Sequence, residues 1–144
     1  MTLQGEYEPS AAEWVRNQVA AYEASGGREA NTVMDRPIVV ITSRGHNSGK
    51  LRKNPVMRVE HDGVYAAVAS MGGAPEHPEW FHNFTADPHV DLQDGPEPHE
   101  YVARIATEEE REQWWPRAVE AFPPYAEYEQ KTDRRIPVFL LERA

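Results

Sequence analysis

The chain gathers the residue types that hold an anion into one stretch, Thr42 to Arg58, with the sequence TSRGHNSGKLRKNPVMR. Gly45, Ser48 and Gly49 let backbone N–H groups approach a ligand closely and form a nest for negative charge. Lys50, Arg52 and Lys53 add cations, and the Arg52 guanidinium can grip a phosphate or carboxylate through two parallel hydrogen bonds. Overall charge does not account for this clustering. The net charge is -9, yet no Asp or Glu stands between Arg36 and Val59, and that window holds six of the fifteen Lys and Arg residues. The spacing is not that of a P-loop, because G-x-x-x-x-G-K-[ST] is absent and no long helix pattern follows. Two readings fit these residues: a local phosphate or carboxylate site, and an ordinary basic hairpin loop on an acidic protein.

A second group is ASMGGAPEHPEWFHN, Ala69 to Asn83. Gly72-Gly73 after a strand pattern lets the chain turn sharply or pass close to a flat ligand. Trp80 and Phe81 can wall an aromatic pocket, or else pack as core beneath a tight loop. A third group is Trp114, Trp115, Phe122, Tyr125 and Tyr128, mostly core by its pattern. Its two tyrosines follow Pro123-Pro124, where a phenol can face a pocket. Histidines 46, 61, 77, 82, 89 and 99 show no metal-ligand spacing. There is no cysteine, which excludes disulfides and thiolate metal sites and is compatible with a cytoplasmic setting. The acidic balance argues against general nucleic-acid binding. What the residues support is an anion site beside an aromatic pocket, a pairing that suits a phosphorylated aromatic cofactor.

These groups need elements to position them. The length of 144 residues fits a single domain. In EPSAAEWVRNQVAAYEASGG, Ser10 and Glu13 match a capping box, Val15, Val19 and Tyr22 share a face with Trp14 beside them, and Gly26-Gly27 give the stop. This helix reads as packing on the domain, with a lid or a weak peripheral membrane contact as alternatives. Strands are expected at Pro37–Ser43, Asn54–Glu60, Val64–Ser70 and Ile136–Glu142, with hairpins at Asp62-Gly63 and Asp94-Gly95. A short helix is expected within Pro78–Pro88. Another starts at the Thr107/Glu110 capping box, kinks at Pro116 and ends at Pro123-Pro124. No apolar run is long enough to span a membrane, and the N-terminus lacks signal-peptide features. The order suits an α+β domain: a mostly antiparallel sheet curled into a barrel.

G-x-x-S-G-x-x-R-x-N-P (Gly45 to Pro55), A-S-x-G-G-A (Ala69–Ala74), W-F-x-N (Trp80–Asn83) and YAEY…TDRRIPV (Tyr125 to Val138) together resemble the deazaflavin-dependent nitroreductase family over about residues 37 to 142. The resemblance implies a split β-barrel of about six strands, with an N-terminal helical segment over residues 1–30, a barrel over 36–142 and a helix near the C-terminus. It implies an oxidoreductase that passes a hydride from C5 of the reduced deazaflavin coenzyme F-420 to a small electron-poor acceptor: a conjugated enone, an unsaturated lactone, a quinone or a nitroaromatic.

By the same resemblance, the loop through His46, Asn47, Ser48, Gly49, Lys50 and Arg52, with Lys53 beside it, takes the phosphate and oligoglutamate tail. Asn54, Pro55, Val56 and Met57 lie along the ring, with Arg58 next to them. Val68, Ala69, Ser70 and Met71, together with Glu79, Trp80, Phe81, His82 and Asn83, complete the groove, and Tyr125 closes it. Ser70 and Tyr128 face the acceptor and hydrogen-bond its oxygen or relay the proton, a task water can also perform. His46-Asn47 stand where family members often carry Arg-Lys, and Met71 where some carry Lys, so Lys50, Arg52 and Lys53 carry more of the tail contact. The alternatives are a carrier that binds F-420 or a lipid without turnover, and a split-barrel reductase that uses FMN. Both monomers and homodimers suit such a barrel.

Overall fold

The computed structural model describes residues 2–144. The elements run α1 (Glu13–Ser25), β1 (Thr32–Val33), β2 (Arg36–Arg44), β3 (Leu51–Met57), β4 (Val59–His61), β5 (Val64–Val68), a 3-10 turn (Met71–Gly73), α2 (Glu79–Ala86), β6 (His89–Gln93), β7 (Pro98–Ile105), α3 (Glu108–Ala121), α4 (Pro124–Lys131) and β8 (Val138–Arg143). All strand pairings are antiparallel. The main path runs β2-β6-β7-β8-β5-β4, and β3 pairs with β2. β3 and β4 stand at opposite ends of this path, yet only Arg58 separates them in the chain. The sheet must therefore curl until its ends meet, which makes the split barrel.

The interior of the curl is filled by Val39, Ile41, Val56, Ala67, Val90, Leu92, Tyr101, Phe139 and Leu141, with Trp80 and Phe84 of α2 packed against them. β2 also buries its other face, where Ile38 and Val40 meet Val19 and Tyr22 of α1. That is why IVVIT reads as a continuous apolar run instead of alternating. A third cluster joins α3 and α4 to the outer face of β5 and β8 through Val68, Trp114, Ala118, Phe122, Tyr125, Val138 and Leu140.

Turn chemistry agrees with the backbone. Asp62 and Gly63 have φ of 52° and 82°, the two positive values of a tight hairpin. Thr107 and Glu110 make the full capping box, each satisfying the other's backbone N–H. Gly26 ends α1 at φ 64°, and the Gly27 N–H closes on the Tyr22 carbonyl at 2.9 Å.

Several expectations are corrected. The Ser10/Glu13 box does not form: Ala12 is the N-cap, and the Ser10 hydroxyl accepts from the Ala12 N–H instead. The strand expected across Asn54–Glu60 begins earlier, at Leu51, and breaks at Arg58. That break and the two-residue β1 bring the sheet to eight strands. Pro116 lies inside α3, which ends at Ala121. Trp14, beside the Val15, Val19 and Tyr22 face of α1, is 59% exposed.

Candidate functional site

A groove of about 530 Å³ opens between β3, the segment after β5, and α4. The NPVM sequence of β3 (Asn54, Pro55, Val56 and Met57) forms one side. Val68, Ser70, Met71 and Gly72 form another, and Glu79 and Trp80 close an end at the start of α2. Phe122, Tyr125 and Tyr128 complete the wall from α3 and α4. The groove is within the size range of small-molecule sites, and its lining is mainly apolar with a few convergent polar groups. Trp14, Met34 and Met71 also line it, at 59%, 70% and 53% exposure. Three of the four large exposed hydrophobic side chains among the described residues therefore gather on this one cleft.

The wall at Ser70 is shaped by unusual backbone. Met71, Gly72 and Gly73 have φ of 48°, 66° and 81°, three left-handed residues in succession. A Cβ on Gly73 would lie 3.1 Å from the Tyr128 carbonyl oxygen and 3.0 Å from the Lys131 Cβ. Only glycine there lets α4 pack against the turn and bring Tyr128 beside it. One guanidinium holds the conformation. Arg134 donates to the carbonyls of Ser70 (2.7 Å), Ala74 (2.9 Å) and Ala69 (3.0 Å), and its Nη1 lies 3.1 Å from Nδ1 of His77. The Arg134 guanidinium only donates, so Nδ1 of His77 accepts there and the neutral ring carries its proton on Nε2. Burial, followed by the neighbouring Arg134 and His82, lowers the His77 pKa and favours this neutral form. In the sequence Arg134 stands out only within the TDRRIPV motif. Its role was invisible in sequence because its partners are backbone carbonyls about sixty residues away.

Tyr125 is buried among Phe122, Trp115 and Tyr128, with ring centroids 5.0, 6.4 and 6.3 Å away. Burial, with Tyr128 adding to it, raises its pKa, so the phenol stays protonated at neutral pH. Ser70 is buried, and its hydroxyl is not used to cap the 3-10 turn.

His46 joins the Gly45–Lys50 loop to the groove end. Its backbone N–H donates to Oδ1 of Asn83 (3.0 Å), its Nδ1 lies 2.7 Å from the same oxygen, and its Nε2 lies 3.4 Å from Glu79. Asn47, Ser48 and Gly49 form the turn, with the Ser48 hydroxyl accepting from the Lys50 N–H. Phe81 stacks on His77 at 4.1 Å and packs on the interior core, while His82 is exposed near His46. Ala69 is fully buried behind the wall.

Arg52 and Lys53 are on β3, not in the loop, and Lys53 points to a different place. It pairs with Glu23 at 2.5 Å and lines a small polar pocket with Thr42, Asp91 and Gln93. Arg58 turns away as well, donating to Asp94 at 2.8 Å. The structure thus brings eleven of the predicted residues to the groove (Asn54, Pro55, Val56, Met57, Val68, Ser70, Met71, Glu79, Trp80, Tyr125 and Tyr128) and sets the cationic loop against its α2 end.

The sequence profile that describes F420H(2)-dependent quinone reductases matches residues 14–143. The chain belongs to that family. A solved structure entitled F420-H2 dependent reductase is 56% identical, covers 77% of this chain and 98% of its own, and superposes with a TM-score of 0.70. A second structure, described as a domain-swapped dimer, is 51% identical over 92% of this chain and all of its own, with a TM-score of 0.72. Among named relatives, an F420H(2)-dependent quinone reductase of Mycobacterium tuberculosis is 27% identical over 86% of both chains. The chain is accordingly an oxidoreductase whose coenzyme is F-420, and the FMN alternative is set aside.

The site suits that coenzyme on its own terms. A flat aromatic ring needs an elongated apolar cleft, and its phosphate needs donors at one end. The lining of the groove suits the first; at the adjoining turn the N–H groups of Gly45, His46, Gly49 and Lys50 are bonded within the protein, so the side chains of Lys50 and Arg52 are what it offers a phosphate. A Cβ at Gly49 or Gly72 would meet nothing within 4 Å, so both glycines face open space where a ligand can approach. Among the described residues no helix is long and apolar enough to cross a membrane.

Proposed function

We propose that the groove holds reduced F-420 and that the chain reduces quinones, with conjugated enones, unsaturated lactones and nitroaromatics as further acceptors. The observation that carries this reading is the continuity of one apolar cleft, rimmed by Trp14, Met34 and Met71, with a cationic turn at its far end. Quinones are flat and apolar with two acceptor oxygens, and such a rim favours them over charged oxidants.

In this reading Asn54, Pro55, Val56 and Met57 lie against the ring, and Val68, Trp80 and Tyr125 exclude water around it. The turn through Ser48, Gly49 and Lys50, with Arg52, receives the phosphate and tail. The coenzyme supplies the hydride, and the chain supplies orientation and a dry site. The Ser70 hydroxyl and the Tyr128 phenol face the acceptor. Each can donate to an oxygen that gains negative charge as the acceptor is reduced.

Titrating the protein with F-420 and then adding a panel of quinones, enones and nitroaromatics to the reduced complex tests the proposal. Stoichiometric binding with protein-dependent oxidation by quinones is expected. Binding without oxidation by any acceptor would instead support a carrier. Because the 51%-identical relative is a domain-swapped dimer, we extend the homodimer to this chain. Light scattering is expected to give about twice the 16.4 kDa chain mass, and a monomer mass would refute it.

A further inference from the structure

The cations that the sequence leaves apparently unpaired are paired in the fold, and two of their partners come from the segment before α1. Lys50 Nζ lies 3.1 Å from Oε2 of Glu6, and Arg52 Nη1 lies 3.3 Å from Oε1 of Glu8. The backbone holds these carboxylates in place. The Leu51 N–H donates to the Glu6 carbonyl (2.7 Å), the Glu8 N–H donates to the Leu51 carbonyl (2.9 Å), and Tyr7 bridges to Leu51 as a short parallel addition to β3. Arg44 donates to the Gln4 carbonyl and to the Gly49 carbonyl, tying the same strap to the turn. Tyr7 also places its ring 4.9 Å from Lys53 Nζ. Thus Glu6-Tyr7-Glu8 presents two carboxylates, spaced along extended backbone, to the cations that face the turn.

We infer that Glu6 and Glu8 are specificity-determining residues that compete with the coenzyme's anionic tail for Lys50 and Arg52, acting as an internal copy of its oligoglutamate chemistry. This rests on the reading of the groove as the F-420 site. Both pairs are partly exposed, and exposed ion pairs are weak and readily exchanged. The strap therefore does not seal the cations off. It lowers affinity for tails that cannot exchange for both carboxylates, and it favours coenzyme with more glutamates.

The test uses the full chain and Glu6→Gln/Glu8→Gln, with binding followed by coenzyme fluorescence. The probes are F-420 with its oligoglutamate tail and the tailless deazaflavin chromophore. The double variant is expected to bind the tailed coenzyme about five- to twenty-fold more tightly, the combined effect of two exposed pairs, with a steeper salt dependence because two cations are freed. Affinity for the tailless chromophore stays the same. Equal or weaker affinity of the variant for the tailed coenzyme overturns the inference alone. Failure of the unmodified chain to bind the tailed coenzyme overturns the groove reading and the inference with it. The single variants Glu6→Gln and Glu8→Gln, each expected to give part of the gain, keep the result interpretable if the double variant folds poorly.

Discussion

Ser70 and Tyr128 line the same groove but differ in setting: one immediately precedes the left-handed Met71–Gly73 turn, the other is on a helix. If each hydrogen-bonds the acceptor, Ser70→Ala and Tyr128→Phe lower kcat by about ten-fold each, the worth of one hydrogen bond in a dry site, while the coenzyme Kd changes by less than about two-fold. Equal loss of coenzyme affinity would place the hydroxyls on the cofactor instead. Asp91 gives a second test at this scale. It is buried, its Oδ2 accepts from the Leu3 N–H at 2.9 Å, and its Oδ1 has no partner among the described residues. Burial pushes its pKa up, against the opposing Leu3 N–H. A carboxyl with a raised folded pKa contributes its stability below the unfolded value, and the contribution is lost as pH rises through the folded value. Asp91→Asn carries no charge to desolvate. It should melt about 2–4 °C above the unmodified chain at pH 7 and lose that advantage near pH 4; a lower melting temperature at pH 7 would contradict the argument. The NPVM run, Ser70, Trp80 and the two tyrosines were legible because the family motif names them. The pairing of Lys50 and Arg52 was not, since ion pairs depend on where the N-terminal segment crosses β3.

Two elements fix the groove. The left-handed Met71–Gly73 turn is held by Arg134, a positioning residue whose planar guanidinium serves three carbonyls that point in different directions. Lysine cannot reach all three. Arg134→Lys is expected to lower stability by about 1–3 kcal/mol, the range for leaving buried carbonyls unpaired. It is also expected to lower kcat more than it raises the quinone KM, because Ser70 then drifts. A kcat unchanged by the substitution would confine Arg134 to stability. On the other side, α1 is pinned by Tyr22, whose hydroxyl donates to the Gln93 carbonyl (3.1 Å) and accepts from the Gly95 N–H (2.9 Å). Tyr22→Phe strands both groups and should lower stability by about 1–3 kcal/mol in denaturant unfolding, with turnover preserved. Most of these elements were readable from turn pairs, caps and apolar runs. Their bounds failed where tertiary pairing decided: β3 starts at Leu51 because Leu51 pairs with Arg44, and Ser10 lost its capping role to Ala12 because its hydroxyl turns to the nearer N–H.

For the molecule as a whole, the curl of one antiparallel sheet creates the site. β3 leaves the sheet at Arg58 and returns as β4 at the far end, and the cleft lies where β3 faces the segment following β5. In this acidic chain, with a net charge of -9, Lys50 and Arg52 of the cationic stretch are paired with Glu6 and Glu8. The barrel was foreseeable from hairpin order, but its closure through a single residue was not, because nothing in the strand pattern marks Arg58 as a break. The most direct test of the account is a crystal structure of the chain with F-420. It should show the deazaflavin ring against Pro55, Val56 and Met57, the phosphate at Ser48 to Lys50, and open space beside Ser70 and Tyr128. A ring seated elsewhere, or a phosphate remote from that turn, would contradict it.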